Sequence, residues 1–170
     1  SYLLSEKLTS PIIPWEPKFE WVQTIEKAAD LINQPHEDYP NRVQRTGVVL
    51  RVLIHHYQQP ALNNTYRVPT MTMTNIHSII FNDVPHTGQW RVVNVRVGLH
   101  NPPNFNDVPK YMAELSDRHV IKTINDLTDF YYDFETIHGF EDGNGRVGGV
   151  LVAAISAVLY PGRGYLAPLQ

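Results

Sequence analysis

A short loop concentrates the residue types that phosphate chemistry requires. It runs from His138 to Arg146 and reads His-Gly-Phe-Glu-Asp-Gly-Asn-Gly-Arg. Glycines are dense between Gly139 and Gly149, and glycine permits backbone conformations and close approaches that other residues forbid. The imidazole of His138 can accept a proton near neutral pH. The loop therefore combines a candidate general base with a backbone that a bound group can approach closely.

The second half of the loop carries groups that bind anions and metal ions. The residues that follow are apolar and predict a helix over 146–159. The free N–H groups and the dipole at the start of a helix favour a negatively charged ligand. Asn144 adds a donor, and Arg146 adds a guanidinium suited to phosphate oxygens. Asp142 offers the hard oxygen ligand that Mg²⁺ takes together with phosphates and water. The plainer alternative is a glycine-rich turn with exposed charges.

The elements that must position this loop are mostly helical. Apolar residues at three- to four-residue spacing predict helices over 19–34, 43–57, 71–81, 108–115 and 121–137. The last of these ends at His138 and delivers it to the loop. The segment 88–98 alternates and is rich in β-branched residues, which predicts an extended hairpin or an edge strand. We expect a mainly α domain over 18–170 and an N-terminal arm over 1–17, where three prolines resist regular structure.

Composition excludes several classes of function. The 170 residues suit one domain, and the net charge of −3 without a Lys/Arg run argues against nucleic-acid binding. The absence of cysteine excludes disulfides, thiolate metal sites and a cysteine nucleophile. No apolar stretch approaches the roughly 20 residues that cross a bilayer. No membrane partner and no targeting segment is visible, so we expect a cytoplasmic protein or one delivered into a host cytosol.

The loop resembles the signature of the Fic family, His-x-Phe-x-(Asp/Glu)-Gly-Asn-Gly-Arg-x-x-Arg. The matching residues are His138, Phe140, Asp142, Gly143, Asn144, Gly145 and Arg146. The resemblance extends over about 70–160, because segment 88–98, Pro102-Pro103 and the short helix after them are similar to the family's arrangement. It implies a mainly α Fic-type helical domain with a small β-hairpin flap, which we assign to residues 88–98.

The resemblance also implies an activity. Fic enzymes typically are protein adenylyltransferases, which transfer AMP from ATP to a Ser, Thr or Tyr hydroxyl of a target protein. His138 would be the general base, Asp142 would hold Mg²⁺, and residues 143–146 (Gly143, Asn144, Gly145 and Arg146) would bind the phosphates. The flap would pair with an extended target segment through main-chain hydrogen bonds. The flap residues in question are Val92, Val93, Asn94, Val95 and Arg96, although an ordinary edge strand fits the same pattern.

The chain departs from the signature at its last position, where Gly149 replaces an arginine that grips the γ-phosphate in the family. Losing such a contact costs about 1.5–3 kcal/mol. Substitutes could come from elsewhere in the chain, and the candidates are Arg51, Arg91, Arg96 and Arg163. The alternatives are transfer of another phosphate-containing group (another nucleotide, phosphate or phosphocholine) and a nucleotide- or partner-binding domain without turnover. Retention of His138 argues against the last alternative.

The family's inhibitory helix also has no counterpart in this chain. Its pattern is (Ser/Thr)-x-x-x-Glu-(Gly/Asn), and no glutamate of the chain has Ser or Thr four residues before it. Three explanations remain open. A separate inhibitor protein controls the site, a removed segment does so, or no such control exists.

Overall fold

Residues 18–36, 38–59 and 65–169 are described by the computed structural model, and they form six α-helices and one two-stranded sheet. In chain order the elements are β1 (Lys18–Val22), α1 (Ile25–Asn33), α2 (Tyr39–Gln58), α3 (Thr70–Ile80), α4 (Val108–Arg118), α5 (Ile124–Ile137), α6 (Asn144–Leu159) and β2 (Tyr165–Leu169). A 3-10 turn, Phe105–Asp107, precedes α4. The predicted mainly α fold with one small β element is confirmed. The predicted N-terminal arm, 1–17, lies outside the described residues.

Helix α6 lies at the centre of the core. Every residue from Arg146 to Ser156 is buried, and the helix packs against α1, α2, α5 and β2. Two of its glycines allow neighbouring helices to approach closely. A Cβ atom on Gly148 would lie 2.9 Å from Cε1 of Tyr131 in α5, and one on Gly149 would lie 3.2 Å from Cγ1 of Ile32 in α1. The apolar sequence of this helix is therefore that of a core element, surrounded on most sides.

Helix α5 is capped at its N-terminus and leads directly into the loop at its C-terminus. The Thr123 side chain accepts a hydrogen bond from the N–H of Asp126, and the Asp126 carboxylate accepts one from the N–H of Thr123. This capping box satisfies two backbone donors at the first turn. It also explains why the helix begins at Ile124 rather than at the predicted residue 121, since Ile121 forms an isolated bridge with Tyr66.

The prediction of a helix over 19–34 was wrong in its first part. Residues Lys18–Val22 form β1, which pairs antiparallel with β2 from Lys18 opposite Leu169 to Val22 opposite Tyr165. The helix begins after Thr24, whose side chain accepts a hydrogen bond from the N–H of Lys27. The partner strand lies at the other end of the chain, so no local pattern could reveal it. The other five predicted helices are confirmed as α2 to α6, with ends moved by a few residues.

The flap, 88–98, forms no regular strand, which corrects the prediction of a hairpin or edge strand there. Its backbone pairing among the described residues is an isolated bridge between Val97 and His100. The physical reason is that the segment has no strand partner: β1 and β2, the strands of the described residues, pair with each other, and the segment is held through side chains. The Arg91 guanidinium donates to the carbonyl of Val93 at 2.9 Å, and the Asn94 side chain accepts from the N–H of Phe105 at 2.9 Å. No helix among the described residues is long and apolar enough to cross a membrane.

Candidate active site

His138 lies at the point where helix α5 ends. Its φ of 51° and ψ of 58° place it in the left-handed region, which is uncommon for a residue other than glycine. Its N–H still donates to the carbonyl of Phe134 at 3.2 Å. This conformation turns the chain sharply out of the helix and into the loop. Residues that are held in such a sparsely populated backbone conformation are often found at functional sites.

The surroundings of His138 keep its ring neutral. Burial, together with the nearby positive charge of Arg91, lowers the pKa of the imidazole from 6.5 to about 4, although the backbone of Glu135 acts in the opposite direction. The Nδ1 atom is buried without a hydrogen-bond partner among the described residues. A neutral ring at pH 7 is the form that accepts a proton. The structure therefore holds His138 in the state that a general base requires.

The loop is closed from within by Asn144. Its amide nitrogen donates to the carbonyl of Phe140 at 2.8 Å, and its amide oxygen accepts from the N–H of Phe140 at 2.8 Å. The Phe140 ring is fully buried and stacks on His77 with ring centroids 4.2 Å apart. Phe140 thus anchors the loop in the core. Asn144 therefore shapes the loop. The second hydrogen of its amide nitrogen is not used in these two bonds and can be donated to a ligand.

His77 of α3 joins the loop to the flap. Its Nδ1 accepts from the N–H of Gly88 at 2.9 Å, so in the neutral ring Nε2 carries the hydrogen and donates to the carbonyl of Asp142 at 3.0 Å. Burial lowers the pKa of His77, which favours this neutral form. The sequence did not predict a functional role for His77, because a histidine among apolar residues is usually a packing residue.

The start of helix α6 presents an uncapped row of backbone N–H groups. Gly143 is the N-cap residue, with φ of 89° and no side-chain cap. A Cβ atom there would lie 2.4 Å from Cε2 of Phe81, so only glycine fits. The N–H groups of Asn144, Gly145 and Arg146 are the first of the helix and have no intrahelical acceptor. The predicted phosphate-binding residues therefore lie together at one helix N-terminus.

Asp142 lies on the open side of the loop. Its side chain is 65% exposed, and its Oδ1 atom accepts from the N–H of Gly143 at 2.9 Å and lies 3.6 Å from Nη2 of Arg146. Among the described residues no group of three or more histidines and carboxylates converges on a metal position. A single exposed carboxylate beside an anion site fits Mg²⁺ that is shared with a phosphate and water, the usual mode for this ion.

Arg146 extends from the first turn of α6 to a cluster made by other elements. Its guanidinium lies 4.6 Å from the centroid of the Phe81 ring, and that of Arg42 lies 4.5 Å from the same centroid. The Asp38 carboxylate accepts a hydrogen bond from each arginine. Burial alone would raise the pKa of Asp38, but the hydrogen bonds and charges of the two arginines outweigh it and lower the pKa.

With this geometry in view, the comparison with known families is decisive. The sequence profile of the Fic/DOC family matches residues 68–156, slightly more than half of the chain. The chain belongs to the Fic/DOC family. Proteins of this family are typically transferases. No curated protein is similar enough to be matched.

Solved structures share the fold. A Fic domain-containing signaling protein from Bacteroides thetaiotaomicron matches with a TM-score of 0.58 and 18% identity, over 70% of this chain and 48% of that one. A Fic family protein from Desulfovibrio desulfuricans matches with a TM-score of 0.55 and 22% identity, over 79% and 43%. A fragment of Fic-1 from C. elegans matches with a TM-score of 0.55 and 19% identity, over 74% and 39%. This chain thus spans less than half of each.

Gly149, where the chain departs from the family signature, lies in the core of this Fic domain. The residue is buried and faces Ile32 of α1. A side chain here would have to displace Ile32, since even a Cβ atom would lie 3.2 Å from Cγ1 of that residue.

The four arginines proposed as substitutes for the missing arginine at position 149 all make other contacts. Arg51 pairs with Glu26, Arg91 binds backbone carbonyls, Arg96 donates to the carbonyl of Gly98, and Arg163 stacks on Trp21. The guanidinium that shares the Phe81 ring with Arg146 is that of Arg42, which no sequence pattern singled out.

Arg91 fixes the Fic loop against the flap, a structural role that the sequence did not predict. It is 2% exposed and donates to the carbonyls of His138, Ile137 and Pro103 at 2.7, 3.3 and 2.6 Å. Its own N–H donates to the carbonyl of Gly139 at 2.8 Å. The sequence signal was only an arginine in a β-like stretch.

Gly139 lies where the packing of the loop leaves no room for a side chain. A Cβ atom on it would lie 2.6 Å from Cε of Met112 and 3.1 Å from Cε3 of Trp90. The Trp90 ring also lies 4.8 Å from that of Phe140. Glycine therefore lets the flap tryptophan rest directly against the loop, and Trp90 acts as a packing anchor.

The proposed target-docking residues lie on the outside of the flap. Val92 and Val93 are exposed apolar side chains, as is the nearby Leu99, and Asn94 and Arg96 are exposed while Val95 is half-buried. No backbone N–H of 92–96 donates to a backbone carbonyl of another described residue. An exposed segment with free main-chain donors and apolar side chains suits the addition of an extended peptide.

Proposed function

We propose that this Fic domain is a protein adenylyltransferase, which transfers AMP from ATP to a Ser, Thr or Tyr hydroxyl of a target protein. The observation that carries the proposal is the junction of α5 and α6. There a neutral histidine in a left-handed conformation lies in the same loop as the uncapped N-terminus of a 16-residue helix. This pairing joins a proton acceptor to an anion site, and phosphoryl-group transfer to a hydroxyl needs both.

His138 serves as the general base in this proposal. Its Nδ1 is enclosed, so Nε2 receives the proton of the target hydroxyl. The hydroxyl oxygen then bonds to the α-phosphorus, the bond to pyrophosphate breaks, and the proton stays on Nε2. The environment keeps the imidazole neutral before the reaction, and the low pKa lets the ring give up its proton readily afterwards.

The α-phosphate lies at the start of α6 in this proposal. The N–H groups of Asn144 and Gly145 and the helix dipole offset the negative charge that builds on its oxygens. Asp142 would hold Mg²⁺ against the phosphates, which supplies further neutralisation of charge when bound. The flap binds the target segment, because its outer face carries Val92, Val93 and free backbone donors.

The experiment uses labelled ATP with the purified protein, Mg²⁺ and a cell lysate. We expect label on protein from α-³²P-ATP above that of the His138→Ala variant, and label from γ-³²P-ATP no greater than with that variant. A His138→Ala variant should lose the α-label by at least 100-fold, in line with the usual contribution of a general base. His55→Ala is the matched control, since His55 is exposed on α2, and it should label like the unchanged protein.

Two results would contradict the proposal. Label arriving only from the γ-position would assign phosphate transfer to the site, and label that persists in His138→Ala would remove the proposed base. Gly149 gives a specific reason to run the γ-arm, because the arginine that grips the γ-phosphate in the family is replaced here. Absence of both labels would remove ATP as the donor and point to another phosphate-containing group.

A further inference from the structure

Two arginines that are far apart in the sequence share one aromatic ring and one carboxylate. Arg42 comes from the first turns of α2 and Arg146 from the first turn of α6. Both guanidiniums lie within 4.6 Å of the centroid of Phe81. Asp38 bridges them, with Oδ2 accepting from Arg42 and Oδ1 from Arg146. The two oxygens of a single acidic group therefore span both cations.

Both arginines keep contacts other than that bridge. Arg42 is 6% exposed and Arg146 is 2% exposed. Arg42 also donates to the carbonyl of Ile80 at 2.8 Å and to the carboxylate of Asp83 at 2.8 Å. Arg146 lies over the Phe81 ring and 3.6 Å from the carboxylate of Asp142. The Arg42 guanidinium would thus remain near its present position if Asp38 moved away, and Arg146 would keep its contact with the same ring.

The cluster also contains an unmet hydrogen-bond donor. Nε of Arg146 is buried and has no hydrogen-bond partner among the described residues. A buried charged donor without a partner costs free energy, so it indicates that something the free protein lacks completes the cluster. By contrast the Asp38 side chain is 29% exposed and makes no capping bond to α2. Asp38 is therefore the member of the cluster that can leave most easily.

We propose that Arg42 and Arg146 together bind one phosphate of the donor nucleotide beyond the α-phosphate, and that Asp38 occupies this site until the nucleotide displaces it. The inference rests on the proposed function. Two oxygens of one phosphate have the same chemistry as the bridging carboxylate, and planar guanidiniums bind them well. The α-phosphate lies at the backbone of the loop, so the arginine pair takes a phosphate further along the chain.

This arrangement removes the need for an arginine at position 149. Gly149 faces Ile32 inside the core, whereas Arg42 reaches the same side of the loop as Arg146 from α2. The chain would thus replace a contact from α6 with one from a different helix.

The test is calorimetric binding of Mg²⁺-ATP and of AMP to the full chain. For Arg42→Gln we expect ATP affinity to fall by at least 10-fold, the loss typical of one charge-assisted contact. AMP affinity should change by less than twofold, because AMP has only the α-phosphate. Arg45→Gln is the matched control: Arg45 lies on the same helix, donates to Asn82 and lies 3.7 Å from the Asp83 carboxylate, which Arg42 contacts at 2.8 Å. It should leave both affinities unchanged.

A second variant tests the same idea in the opposite direction. Asp38→Asn removes the competing charge, so ATP should bind more tightly, and the rise in melting temperature on adding ATP should be larger than in the unchanged protein. This keeps the inference testable if Arg42→Gln does not fold. Equal loss of ATP and AMP affinity in Arg42→Gln, unchanged ATP affinity in that variant, or weaker ATP binding in Asp38→Asn would overturn it.

The binding data and the labelling data separate the two proposals. If the unchanged protein transfers α-label while Arg42→Gln binds ATP normally, only the arginine-pair inference fails. If Arg42→Gln loses ATP affinity while no label is transferred by the unchanged protein, only the proposed transfer fails. If the unchanged protein binds no ATP, the arginine pair is not a nucleotide site.

Discussion

Asn144 and Phe140 form a closed pair, in which one side-chain amide satisfies both backbone groups of a residue four positions earlier. Both hydrogen bonds are buried and measure 2.8 Å. The pair sets the curvature of the loop and thereby the relation of His138 to the start of α6. A residue that the signature suggested only as a phosphate ligand thus also sets the geometry of the loop.

Replacing Asn144 by Ala should destabilise the fold as well as the site. Two buried backbone groups of Phe140 lose their partners, and each such loss costs about 1–3 kcal/mol. We expect the free energy of unfolding to fall by at least about 2 kcal/mol, measured by chemical denaturation. Asn106→Ala is the control, because Asn106 is exposed in the 3-10 turn and its loss should leave the stability nearly unchanged. Equal stability of Asn144→Ala and the unchanged protein would show that the pair does not hold the loop.

Gly143→Ala should be far more damaging than Gly162→Ala, although both glycines have positive φ. The φ angles are 89° and 91°, so each substitution carries the same backbone strain of about 1–2 kcal/mol. Only at Gly143 would the new Cβ meet a ring, 2.4 Å from Cε2 of Phe81, while at Gly162 nothing lies within 4 Å. Thermal unfolding should therefore separate the two variants. Matching losses in melting temperature would mean that Phe81 moves aside freely.

The buried imidazole of His138 should make the fold less stable in mild acid. Its pKa is about 4 in the folded protein and 6.5 in the unfolded chain, so between these values the unfolded state binds more protons. The free energy of unfolding then falls as the pH drops from 6.5 towards 4, by at most about 1.4 kcal/mol per pH unit.

His138→Ala should remove this part of the pH dependence, whereas His55→Ala on the surface of α2 should keep it. The measurement is chemical denaturation at several pH values across that window. Some slope will remain in both variants, since burial also lowers the pKa of His77. Identical slopes in the two variants would show that His138 is not kept neutral by the fold.

Arg91→Lys should loosen the flap from the loop without removing the positive charge. A lysine cannot reach the carbonyls of Val93, Pro103 and His138 together, because its ammonium is a compact point charge and the guanidinium is a wide planar fork. We expect faster amide hydrogen exchange over 88–103 and 138–140, followed by mass spectrometry. Arg96→Lys, at an exposed flap position, should leave exchange in these segments unchanged. Unaltered protection in Arg91→Lys would assign the flap's order to Trp90 instead.

Much of the site was determined by local sequence. The residue types of the loop define its chemistry, and the helices on both sides are set by apolar spacing and by caps such as Thr123 with Asp126. These signals act over a few residues, so they can be read along the chain. The positive φ at Gly143 and the end of α5 next to His138 belong to the same class of information.

Tertiary structure decided which distant residues complete that loop. Periodicity shows that one face of a helix is buried, but it does not show what covers that face. It therefore could not reveal that Gly149 faces Ile32, that Arg42 joins Arg146 on Phe81, or that Lys18–Val22 pairs with Tyr165–Leu169 instead of extending α1. Hydrogen bonds and packing between segments tens of residues apart depend on the whole fold. The sequence therefore predicted the chemistry of the loop but not the distant residues that contact it.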